Sequence, residues 1–180
     1  MEICLIFVDN CLIKTMKTYK SNIERKLDKE ISTYIRSHLK EETGAVKGVI
    51  TYSDFLSNKM LVILTIRKGI PYSLFDIIQD YTPFSELDWA NFLDISTKTL
   101  HRNKLSSKHF KPNQSEKIIE MSEVTTVGID VFGDIEKFRL WLDTPNFALG
   151  NLKPMELLKD SYGKELVISE LTRVNYGILV

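Results

Sequence analysis

Residues 138–177 read FRLWLDTPNFALGNLKPMELLKDSYGKELVISELTRVNYG, and the punctuation inside this stretch decides how it folds. Leu140, Trp141 and Leu142 end an amphipathic segment. Thr144 precedes Pro145, whose ring pushes it out of the α region, so the helix is expected to stop there. Asn146 to Lys153 then form an ordered loop. Pro154 suits the first position of a second helix, where its missing N–H would be unpaired anyway, and Gly163 can close that helix in the left-handed conformation. The last helix carries Val167, Leu171, Val174 and Ile178 at spacings of four, three and four, an apolar stripe along one face. The stretch therefore reads as helices joined by a rigid turn, with Trp141, Leu157, Leu158 and Leu171 as core.

Upstream, residues 115–133 read SEKIIEMSEVTTVGIDVFG. Ser115 is a candidate N-cap, and Ile118, Met121, Val124, Val127 and Val131 recur every three or four residues. The β-branched run from Thr125 to Ile129 argues locally for strand, while the apolar spacing favours one long helix ended by Gly133. Asp134 would then open the helix leading into Trp141.

Further upstream, residues 85–104, SELDWANFLDISTKTLHRNK, form a second unit. Trp89, Ala90 and Leu93 lie on one helix face, Ile95 follows a tight turn, and Ser96 can cap a new helix holding Thr99 and Leu100. A helix-turn-helix needs a small residue where its helices cross, and Ala90 stands there. Ile95 and Leu100 supply the apolar contacts that seat the second helix on the first. On that second helix Thr97, Lys98, His101, Arg102 and Lys104 face outward, followed by Lys108 and Lys111. Such a set supplies the donors that a DNA recognition helix presents to phosphates and base edges; the plain alternative is a solvated basic face. Before it, the run MLVILTI between Lys59 and Arg67 suits a buried strand or a buried helix. Ser53 as N-cap, followed by Asp54, favours a helix ending at Gly69. A further helix over Pro71 to Tyr81 places Leu74, Ile77, Ile78 and Tyr81 on one face. In residues 14–42, Ile23, Leu27, Ile31, Ile35 and Leu39 make a narrow apolar stripe flanked by charge.

The pattern W-L-x-T-P-N-x-A-L-G, then P-x-E-L-L, then G-x-x-x-V-x-x-x-L-x-R-x-x-Y-G, running from Trp141 to Gly177, resembles the toxin-binding domain of Xre/MbcA/ParS-type antitoxins. The phrase RKGIP at Arg67 to Pro71 is similar to the R-K-G-L-P ahead of the DNA-binding part of full-length members. Two departures stand out: Asn151 replaces a second glycine after Gly150, and Asp94 replaces the frequent glycine of the helix-turn-helix turn. The resemblance implies an all-α chain with a helix-turn-helix-containing region followed by a small helical toxin-binding domain. The expected divisions are an N-terminal extension over residues 1–52, a DNA-binding region over 53–114 and the toxin-binding domain over 115–180. It further implies an antitoxin of a type II system whose partner is a RES-domain toxin that depletes NAD. Neutralisation by occlusion of the toxin's cofactor pocket, homodimers and higher toxin–antitoxin complexes, and binding to operator DNA as an autorepressor all follow from it. Asn146, Arg173, Tyr176 and Gly177 are harder to explain by packing alone, and with Trp141 and Pro145 they are the expected toxin contacts. The rival reading is a helix-turn-helix regulator without a toxin partner.

Composition agrees with a globular chain. Of 180 residues, 43% are hydrophobic and the formal net charge is zero. The charge is uneven: residues 14–40 hold eight Lys or Arg against three acids, and residues 76–94 hold five acids and no base. Such asymmetry permits nucleic-acid contact. Cys4 and Cys11 are too few for a disulfide framework and lack histidines at zinc spacing, so a reducing cytoplasm is expected. The opening MEICLIFVDNCLI has no basic residue ahead of its apolar run and no small-residue cleavage site, so it is not read as a signal peptide. Asp9 and Asn10 interrupt it, and it is too short to span a bilayer. Met16 opens a more polar sequence and is an alternative start. No GxGxxG, P-loop or CxxC occurs, and neither His101 nor His109 is flanked by a plausible nucleophile. No catalytic residue, metal site or cofactor is expected.

Overall fold

Asp134, Gly133 and Pro145 punctuate the C-terminal helices where the sequence places its stops. The structure, a computed structural model, describes residues 22–39, 50–106 and 108–178. Cys4, Cys11, the alternative start at Met16 and the breaks at Thr43, Gly44 and Gly48 lie outside the described residues. The described elements are helices: α1 over residues 22–38, α2 (Tyr52–Ser57), α3 (Lys59–Lys68), α4 (Tyr72–Tyr81), α5 (Glu86–Phe92), α6 (Thr97–Ser106), α7 (Pro112–Phe132), α8 (Ile135–Asp143), a 3-10 turn (Phe147–Leu149), α9 (Pro154–Leu157) and α10 (Ser161–Asn175). The chain divides into two compact units, residues 1–61 and 62–180.

In the first unit, Ile23, Leu27, Ile31, Ile35 and Leu39 are all buried, so the narrow stripe of α1 is a packed face. Asp28 accepts the Tyr52 backbone N–H at 2.7 Å, tying the start of α2 to α1. The helix expected to run from Ser53 to Gly69 is two. Thr51, not Ser53, is the cap: its hydroxyl accepts the Asp54 N–H at 3.1 Å, and the Asp54 carboxylate accepts the Thr51 N–H in return. Asn58 then leaves the α region (φ −90°, ψ 92°), and its side chain accepts from Met60 and Leu61 to start α3. An Asx residue that can satisfy two orphan donors breaks a run whose apolar content alone would have carried on.

In the second unit, α4, α5 and α6 surround an aromatic core. The Phe75 ring meets Trp89 edge-on at 5.1 Å, and Trp89 in turn meets Phe84 edge-on at 5.8 Å. Backbone hydrogen bonds from Phe110 to Ile70 (2.8 Å) and from Tyr72 to Lys108 (3.2 Å) close the segment's two ends on each other. Gly69, with φ +87°, is required there: a Cβ would strike the Phe110 carbonyl.

The long helix α7 joins this segment to the C-terminal one, packing along α10 and against α8. Thr125 to Ile129 are helical, so the strand alternative is set aside: Thr125 and Thr126 return their hydroxyls to the carbonyls one turn back, at Met121 and Ser122. Ser115 is not the N-cap, because α7 starts at Pro112, where a proline loses nothing. Ser115 is instead fully buried, and its hydroxyl accepts the Ile70 N–H at 2.9 Å. Gly133 ends α7 in the left-handed region, and Asp134 caps α8 through the N–H groups of Glu136 and Lys137. Gly163 does not close α9. That helix ends at Leu157, and Gly163 sits buried inside α10, where a Cβ would run into the Leu157 carbonyl. The glycine serves a close approach of two helices, which spacing alone does not distinguish from a cap.

Candidate functional site

Two surfaces of the second unit carry the expected interaction residues. The first is built on the loop between α8 and α9. Thr144 ends α8, and the Asn146 side chain accepts the Ala148 N–H at 2.8 Å to start the 3-10 turn. Backbone bonds from Asn146 to Leu152 (3.1 Å) and from Asn151 to Asn146 (2.9 Å) close the loop. Gly150 and Asn151 both take positive φ, 70° and 62°. Asparagine at the position of a second glycine therefore preserves the turn, because its short polar side chain tolerates that conformation.

The closed loop holds Phe147 out in solvent at 73% exposure, beside a groove of about 330 Å³ lined by Trp141, Pro145, Phe147, Ala148, Glu170 and Val174, with Thr144 and Asn146 completing it. Trp141 is half-buried, its ring 5.8 Å from Phe132 and 6.2 Å from Phe138, so it joins the core to the groove wall. Leu158 and Leu171 are fully buried as expected, whereas Leu157 is half-buried. Of the expected toxin contacts, the groove brings together Trp141, Pro145 and Asn146. Arg173 is half-exposed and meets Glu170 at 3.3 Å. Tyr176 is 75% exposed at the end of α10, followed by Gly177 in the left-handed region. Glu170, Phe147 and Ala148 were not singled out from the sequence, and Val174 was read only as part of the apolar stripe of the last helix. Glu170 left little signal there: one turn from both Val167 and Val174, it borders the apolar stripe of α10, where a carboxylate is ordinary.

The second surface is α6. Ile95 N–H returns to the Ala90 carbonyl at 3.0 Å around a turn in which Asp94 takes φ +51°. Aspartate thus adopts the conformation that glycine usually supplies. Ala90 and Leu100 are buried, and Ser96 caps α6 by accepting the Thr99 N–H at 3.1 Å. Thr97, Lys98, His101, Arg102 and Lys104 are all exposed. Lys104 is not equivalent to the others: its ammonium bonds Asp76 of α4 at 3.0 Å, and that pairing raises its pKa.

The segments that carry the two surfaces are joined by Arg139 of α8. Its guanidinium bonds Asp88 of α5 and Asp143, each at 2.7 Å, and the Pro83 carbonyl at 3.0 Å. Burial opposes the charge of both Arg139 and Asp88, but their hydrogen bonds outweigh it, lowering the Asp88 pKa and raising that of Arg139.

A family model described as the antitoxin Xre-like helix-turn-helix domain matches residues 62–121, and the model of the antitoxin Xre/MbcA/ParS C-terminal toxin-binding domain matches residues 128–177. The chain belongs to the Xre/MbcA/ParS-type antitoxins. Antitoxin Xre of Photorhabdus laumondii is 25% identical over 115 residues, covering 63% of this chain and 78% of the relative. Antitoxin Xre of Yersinia enterocolitica is 25% identical over 123 residues, covering 68% and 83%. In this antitoxin the helix-turn-helix domain precedes the toxin-binding domain in an all-α fold. The groove beside Phe147 lies in the toxin-binding domain, and α6 lies in the helix-turn-helix domain. Among the described residues no helix is long and apolar enough to cross a membrane, and no cluster of His, Cys, Asp and Glu could hold a metal ion.

Proposed function

We propose that this antitoxin neutralises a RES-domain toxin that depletes NAD, acting in the cytoplasm as a steric plug without chemistry of its own. The observation that carries the reading is the apolar surface gathered at one end of the toxin-binding domain. Phe147 stands in solvent at the groove, and Tyr176 and Ile178 are exposed just past the groove residue Val174. Exposed aromatic side chains beside a concave apolar wall are the usual anchors of a protein interface. Occlusion would come from Trp141, Pro145, Asn146 and the α10 end at Arg173, Tyr176 and Gly177. The antitoxin would also bind its own operator as a homodimer through Thr97, Lys98, His101 and Arg102, alone or within a larger toxin–antitoxin complex. Residues 53–114 would carry DNA binding, residues 115–180 toxin binding, and residues 1–52 form an extension of separate role.

Co-expression with a cognate RES-domain toxin tests this reading. Growth and cellular NAD are expected to recover when the antitoxin is present. Continued NAD loss with abundant folded antitoxin would overturn the proposal.

A further inference from the structure

The groove is apolar along most of its wall, yet it includes a carboxylate. Glu170 is 8% exposed as a residue, and its side chain only 10%. A buried carboxylate requires strong partners, since about four lone-pair sites must be satisfied and an unpaired buried charge is costly. Its ion pair with Arg173 is 3.3 Å long, against 2.7 Å for Lys117–Glu120, Arg139–Asp88 and Lys164–Glu123 nearby. Charge-assisted N–H···O bonds run at about 2.7–2.9 Å. Arg173 therefore balances the charge of Glu170 without capturing the carboxylate in a short bond.

From this we infer that the groove receives a basic side chain of the toxin, an arginine carried between apolar residues. The inference rests on the toxin-binding reading and deepens it. A guanidinium matches every part of the wall: its fork suits a carboxylate, and its flat face stacks on the rings of Trp141 and Phe147. Its weak hydration lowers the cost of leaving water. The aliphatic stem lies against Pro145, Ala148 and Val174. The cation does the selecting, because a leucine in the same place leaves Glu170 unsatisfied and a carboxylate is repelled. On this account Arg173 holds Glu170 in place in the free antitoxin and is not itself the anchor.

Two measurements test it with the full-length antitoxin. First, blocked tripeptides Leu-Arg-Leu, Leu-Glu-Leu and Leu-norleucine-Leu are titrated while the backbone amide resonances of Phe147 to Gly150 are followed. The arginine peptide is expected to shift them saturably and the other two not to. Glu170→Gln, which preserves shape, is expected to weaken that binding about tenfold or more, or about 1.4 kcal/mol. Equal shifts with all three peptides, no shift with the arginine peptide, or undiminished binding by Glu170→Gln would each overturn the proposal. Second, Glu170→Gln is expected to weaken the complex with a cognate RES-domain toxin by a similar factor; an unchanged complex would overturn the proposal. If the wild-type antitoxin does not bind that protein, the RES reading falls and the peptide titration still decides the groove. A change in the antitoxin's own oligomeric mass caused by Glu170→Gln, with peptide binding intact, would assign the groove to a second copy of this chain and also overturn the proposal.

Discussion

Arg139 in the toxin-binding domain donates from Nη1 to Oδ2 of Asp88 at 2.7 Å, and Asp88 is the residue whose carboxylate accepts the Ser85 N–H to start the first helix of the helix-turn-helix. One carboxylate therefore caps α5 and anchors α8. The two domains share an electrostatic joint, in which a side chain of one completes a local structure of the other.

Replacing Arg139 with Ala is expected to destabilise the protein by about 1–3 kcal/mol, the range for a charge-assisted bond whose partly buried partner loses its cation. Urea unfolding followed by circular dichroism measures it. A midpoint equal to wild type would show the joint to be incidental.

The same joint sets a pH dependence. The folded-state pKa of Asp88 lies below its unfolded value, so its stabilisation is complete above the unfolded aspartate pKa of about 3.9 and is lost as pH falls through the folded value. Asp88→Asn should be less stable than wild type at neutral pH, with the difference shrinking below about pH 4. A difference independent of pH would mean that the carboxylate is not held as an anion by this pairing.

Much of the fold was legible because its punctuation is chemical. Thr144 before Pro145, Gly133, Asp134 and Ser96 each act through their own backbone preferences or capping groups, and each ends or starts a helix where the sequence places it. The misplaced boundaries at Ser53, Ser115 and Gly163 share a different cause. At each of them the deciding partner is distant or competes locally: Asn58 breaks α2 from α3, Ser115 serves the Ile70 N–H, and Gly163 yields to the Leu157 carbonyl. The groove was half legible. Trp141, Pro145 and Asn146 carry a pattern, whereas the exposure of Phe147 and the burial of Glu170 exist only once the loop has closed on α10.

Gly163→Ala separates packing from propensity. Alanine is the better helix former by about 1 kcal/mol, yet its Cβ has no room beside the Leu157 carbonyl. The variant is expected to lose about 1–3 kcal/mol through overpacking, with the sign opposite to propensity. A stabilised variant in urea unfolding would show that α9 and α10 can move apart freely.

On the DNA side, Lys98→Ala combined with Arg102→Ala should weaken operator binding and reduce the salt slope of log K by about 1.8, at about 0.9 for each phosphate left without its cation. Lys104→Ala is expected to cost less, because Asp76 already engages its ammonium. Fluorescence anisotropy across a salt series reports both. Equal affinity and slope for the double variant would make α6 a solvated face.

Deleting Asn175 to Val180 removes the exposed Tyr176 but leaves the buried Val167 and Leu171 of α10 in place. The shortened antitoxin should keep its helical circular dichroism and its DNA affinity while inhibiting the toxin markedly less. Full inhibition would move occlusion away from the end of α10 and onto the Pro145 loop.

The central claim is that the groove end of the toxin-binding domain silences a RES-domain enzyme. NAD consumption by a cognate RES-domain toxin, titrated with wild-type antitoxin and with Phe147→Asp, tests it most directly. Phe147 is solvent-exposed, so the charge leaves the fold intact, and retained operator binding confirms this. Wild type should stop NAD consumption near stoichiometric ratios, and Phe147→Asp should leave most of it running. Persistent consumption with wild type, or equal inhibition by the variant, would contradict the account.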